Sequence, residues 1–195
     1  RMIHRESNQL FIGPYAIVGP HVRVAGGTTV GAHAILDGHL EIGRDCRIFP
    51  HAAVGMEPQD LKYHGEPTRL EVGDRTVVRE FASLHRATHE GATVVGSDCL
   101  IMATAHVAHN CILGHHVILA NAANLAGHVT VGDYAIVGGV TPVHQFVRIG
   151  AHSMIGGGSR SPQDVAPFTK VAGNPPEAFG INVVGLARRG FTPEA

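Results

Sequence analysis

The sequence predicts an all-β chain wound as a parallel β-helix of hexapeptide repeats, with protruding loops and a short irregular C-terminal tail. Three observations carry this expectation. Aliphatic residues recur every six positions, a residue that is mostly small stands four places after them, and Gly or Ala usually follows the aliphatic directly.

The first register runs Ile12, Val18, Val24, Val30, Leu36, Ile42, Ile48, Val54, and returns at Val72, Val78 and Leu84. After a phase shift it resumes at Val95 and continues through Ile101, Val107, Leu113, Leu119, Leu125, Val131, Val137, Val143, Ile149 and Ile155. This second position reads Ala16, Val22, Thr28, Ala34, Leu40, Cys46 and Ala52, then Cys99, Ala105, Cys111, Val117, Ala123, Val129, Ala135, Thr141, Val147, Ser153 and Ser159. Strand side chains alternate between faces, so this position and the aliphatic two residues later point the same way, toward the interior. Gly13, Gly19, Gly31, Gly43, Gly96, Gly114, Gly132 and Gly150 mark where the chain must turn tightly. Each hexad is a short strand and a turn, and three hexads close a triangular coil of 18 residues. The left-handed parallel β-helix is the form this pattern resembles, with about seven coils stacked roughly 4.8 Å apart. A two-sheet sandwich would instead need turns spaced at roughly 8 to 12 residues. The β-helix is expected over 1–160 and the tail over 161–195.

Composition narrows the function. Fifteen Lys and Arg against sixteen Asp and Glu give a formal charge of −1, so no basic field is available for nucleic acid, and any anionic ligand must be met by local clusters. No apolar run approaches the ~20 residues that cross a bilayer. The start, RMIHRESNQLF, lacks a signal peptide's charged and apolar regions, and Arg1 reads as an expression remnant. A cytoplasmic protein without membrane insertion is expected. Cys46, Cys99 and Cys111 all fall on the small inward position, which makes them buried small hydrophobes rather than nucleophiles or a disulfide framework.

Function is expected where the repeat breaks. The first break, loop 55–71, contains MEPQDLKYHGEPTRLE, which either replaces most of one coil or leaves the prism at a corner. The second, loop 86–94, shifts the register between Leu84 and Val95. The tail ends in Thr192-Pro193-Glu194, an N-cap followed by Pro at a first helical position, where a further helical domain would begin.

None of the fifteen histidines occupies an inward position, as suits a side chain that is costly to bury unpaired. Seven of them, His21, His33, His39, His51, His116, His128 and His152, share one turn position and read as solvated corner residues. The stretch AHVAHNC differs. His106 lies on an outward strand position and His109 at a turn, and the 18-residue coil stacks Gly127 over His109, with His128 beside it and His144 and Gln145 further along. Zinc would need three or four converging ligands. A resemblance to the γ-class carbonic anhydrases would imply one His paired with two more, five residues apart, about two coils on; from His85 that leads to Asn121 with no His pair, so no metal is expected. General-base catalysis fits better: an imidazole can deprotonate a hydroxyl near neutral pH, Asn110 can orient the ring, and the Gly127 N–H can meet a developing oxyanion. That is the apparatus for acyl transfer to an alcohol.

In order, QDLKYHGEPTR, HRAT, AHVAHNC, LAGHV, VHQF, the GGGS turn and GLARRGF resemble the UDP-N-acetylglucosamine 3-O-acyltransferases of lipid A synthesis. The resemblance implies a homotrimer with active sites between subunits. It also implies UDP-N-acetylglucosamine as acceptor and a 3-hydroxyacyl donor on phosphopantetheinyl acyl carrier protein, with no other cofactor. It makes His109 the base and Gly127 the oxyanion donor. Asp60, Lys62, His106, His128, His144 and Gln145 become contacts to the substrate, and Asn182, Arg188 and Arg189 tail positions near the nucleotide. Gly157 falls where residue size limits acyl length. Asn110 departs from the Asp usual in the family, and Val184 stands where an acidic residue is frequent. Relative to the family, the chain is expected to lack about one N-terminal coil and the C-terminal helical domain. An acetyl-CoA-dependent sugar acetyltransferase and a non-catalytic sugar-nucleotide-binding paralogue are the alternatives.

Overall fold

The computed structural model describes residues 9–192. Within them the chain winds as a left-handed parallel β-helix, each coil adding one short strand to each of three sheets. Pairing repeats every eighteen residues, as in Phe11 with Thr29, Thr29 with Arg47, and Leu100 with Ile118. Two steps are longer. Arg47 pairs with Val77, thirty residues on, and Val77 with Leu100, twenty-three on. The first excursion therefore leaves at a corner as a twelve-residue insertion, between the strands Ala53–Met56 and Arg69–Val72. The second inserts five residues between Ser83–His85 and Ala92–Val95, at the same corner one coil further along.

The aliphatic positions from Val30 to Ile155 form one continuous core, with the small positions Ala34, Ala52, Ala105, Ala123 and Ala135 between them. Where the small residue is polar, its hydrogen goes to a carbonyl of the next turn: Thr28 Oγ1 to Gly43 (2.8 Å), Cys46 Sγ to Gly73 (3.1 Å), Cys111 Sγ to Ala126 (3.1 Å). These positions thus place a hydroxyl or thiol against the core with its donor paired. Burial raises the thiol pKa values, to about 11 at Cys99 and about 12 at Cys111, so these sulfurs are inert packing groups. At the first described coil, where no coil lies beneath among the described residues, Ile12 and Val18 remain 45% and 40% exposed.

One expectation is extended and one corrected. The seven corner histidines are exposed or half-buried, as a solvated corner implies, and they also stack. His33, His51, His116, His128 and His152 adopt positive φ, and rings one coil apart stack in columns. One column is Tyr15, His33, His51, Phe81, another His116, Tyr134, His152, Phe168. Stacking, worth ~0.5–1.5 kcal/mol per pair, offsets the left-handed backbone cost of ~1–2 kcal/mol per residue. The coils also run past residue 160. Val143 bridges Ser161, Ile149 bridges Val165, and Ile155 pairs with Val171, because Ser161, Val165 and Val171 still bury inward. Within the tail expected to be irregular, Thr169–Ala172 and Glu177–Ile181 pair as an antiparallel hairpin, followed by the helix Val183–Ala187. Of the helix start expected at Thr192-Pro193-Glu194 only Thr192 is described; Pro193 and Glu194, like the remnant Arg1, fall outside the described residues.

Candidate active site

The two excursions, His109, Gly127 and His128 all occupy the corner that leads from one seven-stranded sheet to the other. His109 follows the strand His106–Val107, and its carbonyl accepts the His128 N–H at 3.0 Å, which fixes Gly127 against the ring. A Cβ on Gly127 would stand 2.5 Å from His109 Cε1 and 2.6 Å from Nε2, so only glycine permits this approach. The Gly127 N–H has no acceptor among the described residues.

Asn110 settles which ring nitrogen carries the proton. Its Oδ1 accepts the backbone N–H of Thr88 at 2.9 Å, and its Nδ2 donates to the Glu90 carbonyl at 3.3 Å. The atom 3.0 Å from His109 Nδ1 is thus an acceptor oxygen, and Nδ1 donates to it. In the tautomer so selected Nε2 carries the lone pair, and it lies 3.9 Å from the Asp60 carboxylate. Asn110 has φ 56°, a left-handed conformation that Asn tolerates well, and its N–H donates to Thr93 Oγ1 at 2.8 Å. One amide therefore ties the imidazole to the second excursion.

Asp60 lies on the first excursion. The Lys62 N–H donates to its Oδ1 at 3.0 Å and, with a smaller contribution from nearby His109, holds its carboxyl below the usual range. Lys62 is exposed, its ammonium free to meet an anion. His106 Nδ1 lies 2.8 Å from Ser83 Oγ, and burial lowers its pKa, helped by His109. His128 meets the His109 ring edge-on at 5.2 Å and stacks on Phe146 at 4.7 Å. His144 and Gln145 are exposed one coil beyond Gly127 on the same corner, with His144 Nδ1 bonded to the Gln145 carbonyl at 3.1 Å.

The remaining expected residues are elsewhere. Gly157 is at the corner after Ile155, where a Cβ would reach the Gly139 carbonyl at 3.3 Å. Asn182 is 4% exposed and caps the tail helix: Oδ1 accepts the Gly185 N–H at 3.3 Å, and Nδ2 donates to the His152 carbonyl at 2.9 Å. Its amide is spent on both sides, so within the protomer it builds the helix and presents nothing to a ligand. Arg189 lies over the Tyr134 ring, 5.1 Å from its centroid, at the third corner, and Arg188 lines an apolar groove with Phe179 and Ile181. The expected site residues are thus distributed over all three edges of the prism. No group of three or more His, Cys, Asp or Glu arranged to hold a metal ion occurs among the described residues.

Sequence reasoning missed Ser83, Thr88 and Thr93, which fix His106 and Asn110. Ser83 stacks beside His106 at an offset of twenty-three residues, so the inserted five hide it from an eighteen-residue search. Sequence reasoning weighed His85 only as a zinc ligand; the ring is 6% exposed and packs edge-on against His106 at 4.9 Å. Burial, with His106 adding to it, pushes the His85 pKa down to about 4, so this ring stays neutral.

Comparison with known proteins agrees with this architecture. Residues 92–127 match the bacterial transferase hexapeptide family (six repeats), and residues 164–195 match domain 2 of the UDP-N-acetylglucosamine O-acyltransferase family. LpxA of Acinetobacter baumannii superposes with a TM-score of 0.84 at 39% identity, over 94% of this chain and 79% of that one. The UDP-N-acetylglucosamine acyltransferase of Campylobacter jejuni gives 0.82 at 36% identity, over 95% and 75%. The acyl-(acyl-carrier-protein)–UDP-N-acetylglucosamine O-acyltransferase of Thermodesulfovibrio yellowstonii is 48% identical over 188 residues, 95% of this chain and 73% of the relative. With 48% identity over 95% of its length to a relative of which it covers 73%, the chain belongs to the UDP-N-acetylglucosamine O-acyltransferase family.

Proposed function

We propose that the chain catalyses the first step of lipid A synthesis, moving a 3-hydroxyacyl group from acyl carrier protein to the 3-hydroxyl of UDP-N-acetylglucosamine. The observation that carries the mechanism is the imidazole of His109, with Nδ1–H committed to Asn110 and Nε2 free beside the glycine backbone of the next coil. Nε2 takes the proton of the sugar hydroxyl as its oxygen attacks the thioester carbonyl carbon. The Gly127 N–H meets the oxyanion. Collapse of the tetrahedral adduct breaks the C–S bond, and the imidazolium returns its proton to the phosphopantetheine sulfur. No cofactor beyond that carrier arm takes part. Asp60, His106, His128, His144 and Gln145 hold the sugar nucleotide along the ledge, with Lys62 near its diphosphate.

Arg188 and Arg189 lie on a different edge from His109, so a protomer alone does not bring them to its own ledge. In a homotrimer the tail of one subunit faces the ledge of the next, where the two guanidinium groups meet the nucleotide. Gly157 leaves room for a long acyl chain at the remaining edge. Cytoplasmic residence accords with soluble substrates, and no helix among the described residues is long and apolar enough to cross a membrane.

The test is acyl transfer to UDP-N-acetylglucosamine from 3-hydroxyacyl carrier proteins of several chain lengths. Ester product is expected, and His109→Ala should lose about 10²- to 10⁴-fold in kcat while UDP-N-acetylglucosamine still binds. Absence of transfer from every donor overturns the proposal, as does an active His109→Ala variant.

A further inference from the structure

The excursion Glu57–Thr68 carries Asp60 and Lys62, yet it is polar and has no place in the sheets. What holds it is a buried guanidinium. Arg86, 7% exposed, donates from Nη2 to the Tyr63 hydroxyl at 2.9 Å and from Nη1 to the Gly55 carbonyl at 2.8 Å. The Tyr63 hydroxyl in turn donates to the Glu66 carbonyl at 3.1 Å, closing the loop on itself. The Glu57 carboxylate is 3.9 Å from Nη2. Room for the guanidinium is made by Gly38, at φ 67°, where any side chain would collide with Nη1, Cδ and Cζ of Arg86. Beyond the guanidinium lies a cavity of about 630 Å³ on the N-terminal side of the excursion, lined also by Asp37, His39 and Tyr63.

Burying a cation with one long, solvent-exposed ion pair is costly, and an apolar side chain would fill this space with less penalty. What an apolar residue cannot do is bond the coil and the excursion at once. We propose that Arg86, acting through Tyr63, is the positioning residue that holds the excursion bearing Asp60 and Lys62 in its substrate-binding conformation. It sets affinity for the sugar nucleotide, not the rate of acyl transfer. This rests on the reading of Asp60 and Lys62 as sugar-nucleotide contacts. Loosening the excursion lowers the fraction of protein competent to bind, and apparent affinity falls by that fraction. Bound substrate restores the ordered form, so turnover at saturation is preserved.

Tyr63→Phe keeps the ring and removes both hydroxyl bonds without touching the core. We expect KM for UDP-N-acetylglucosamine to rise roughly tenfold, with kcat and KM for the acyl carrier protein donor unchanged. Amide hydrogen exchange should quicken across 57–68 and stay unaltered in the coils from Val95 to Ile149. Arg86→Lys, which can reach one acceptor but not both in fork geometry, should show the same split. Unchanged exchange across 57–68 in Tyr63→Phe overturns the proposal, as does a fall in kcat at constant KM. If the wild-type protein neither binds nor acylates UDP-N-acetylglucosamine, the functional reading fails, and the exchange measurement still decides whether Arg86 and Tyr63 fix the excursion.

Discussion

Gly127→Ala isolates the contact between His109, the proposed base, and the neighbouring coil. Ordinary van der Waals contact begins at 3.4 Å, whereas the added Cβ would stand 2.5 Å from His109 Cε1 and 2.6 Å from Nε2. The ring must retreat by about 0.9 Å, because the other side of the contact is backbone stapled by the His128 N–H to the His109 carbonyl. Gly127 is not among the glycines at positive φ, so alanine suits its backbone and the fold should hold. A displacement of about 1 Å at a reacting group costs on the order of 10²-fold in rate. The expected result is kcat down roughly a hundredfold, with the melting temperature within a degree or two of wild type. Steady-state kinetics with a 3-hydroxyacyl carrier protein and a thermal melt read both. A Gly127→Ala enzyme with wild-type kcat would refute the close approach of backbone and imidazole as a requirement of the reaction.

Two other perturbations probe the surroundings. Asn110→Asp exchanges a neutral acceptor at His109 Nδ1 for a charged one and gives up the 3.3 Å bond to Glu90. Charge-assisted bonds exceed neutral ones by about 1 kcal/mol, so kcat should rise roughly fivefold, and an unchanged rate would make the amide a neutral variation. His85 links pH to stability. Its folded pKa of about 4 lies below the 6.5 of the unfolded chain, so the unfolded state binds the extra proton between these values. Its contribution is whole above pH 6.5 and is lost as pH falls toward 4, by about 3 kcal/mol. Urea melts at pH 7 and pH 5 should show a steeper loss for wild type than for His85→Gln, and equal slopes would contradict the burial argument.

The coil was legible from sequence because its causes are local. A strand alternates faces, a hexad turns one corner, and an inward residue must be aliphatic or small. Val30 through Ile155, Cys99 among them, could be assigned to the core from spacing alone, and Gly127 could be set over His109 by counting eighteen. The excursions were recognisable as breaks, but not what they do, because an insertion changes the offset between neighbours. Ser83 and His106 meet at twenty-three residues, and Thr88 reaches Asn110 from a loop with no period.

What the tertiary structure alone decided is the assignment of polar groups. The double acceptance at Asn110 Oδ1 selects the tautomer of His109, and the cap on the tail helix consumes the amide of Asn182. Gly38, at positive φ, makes way for the Arg86 side chain, whose guanidinium bonds the Gly55 carbonyl and the Tyr63 hydroxyl. The sequence alone determined the prism, since burial of apolar side chains depends on period. Hydrogen bonds are short and directional, so their partners are known only once the insertions are folded against the coils.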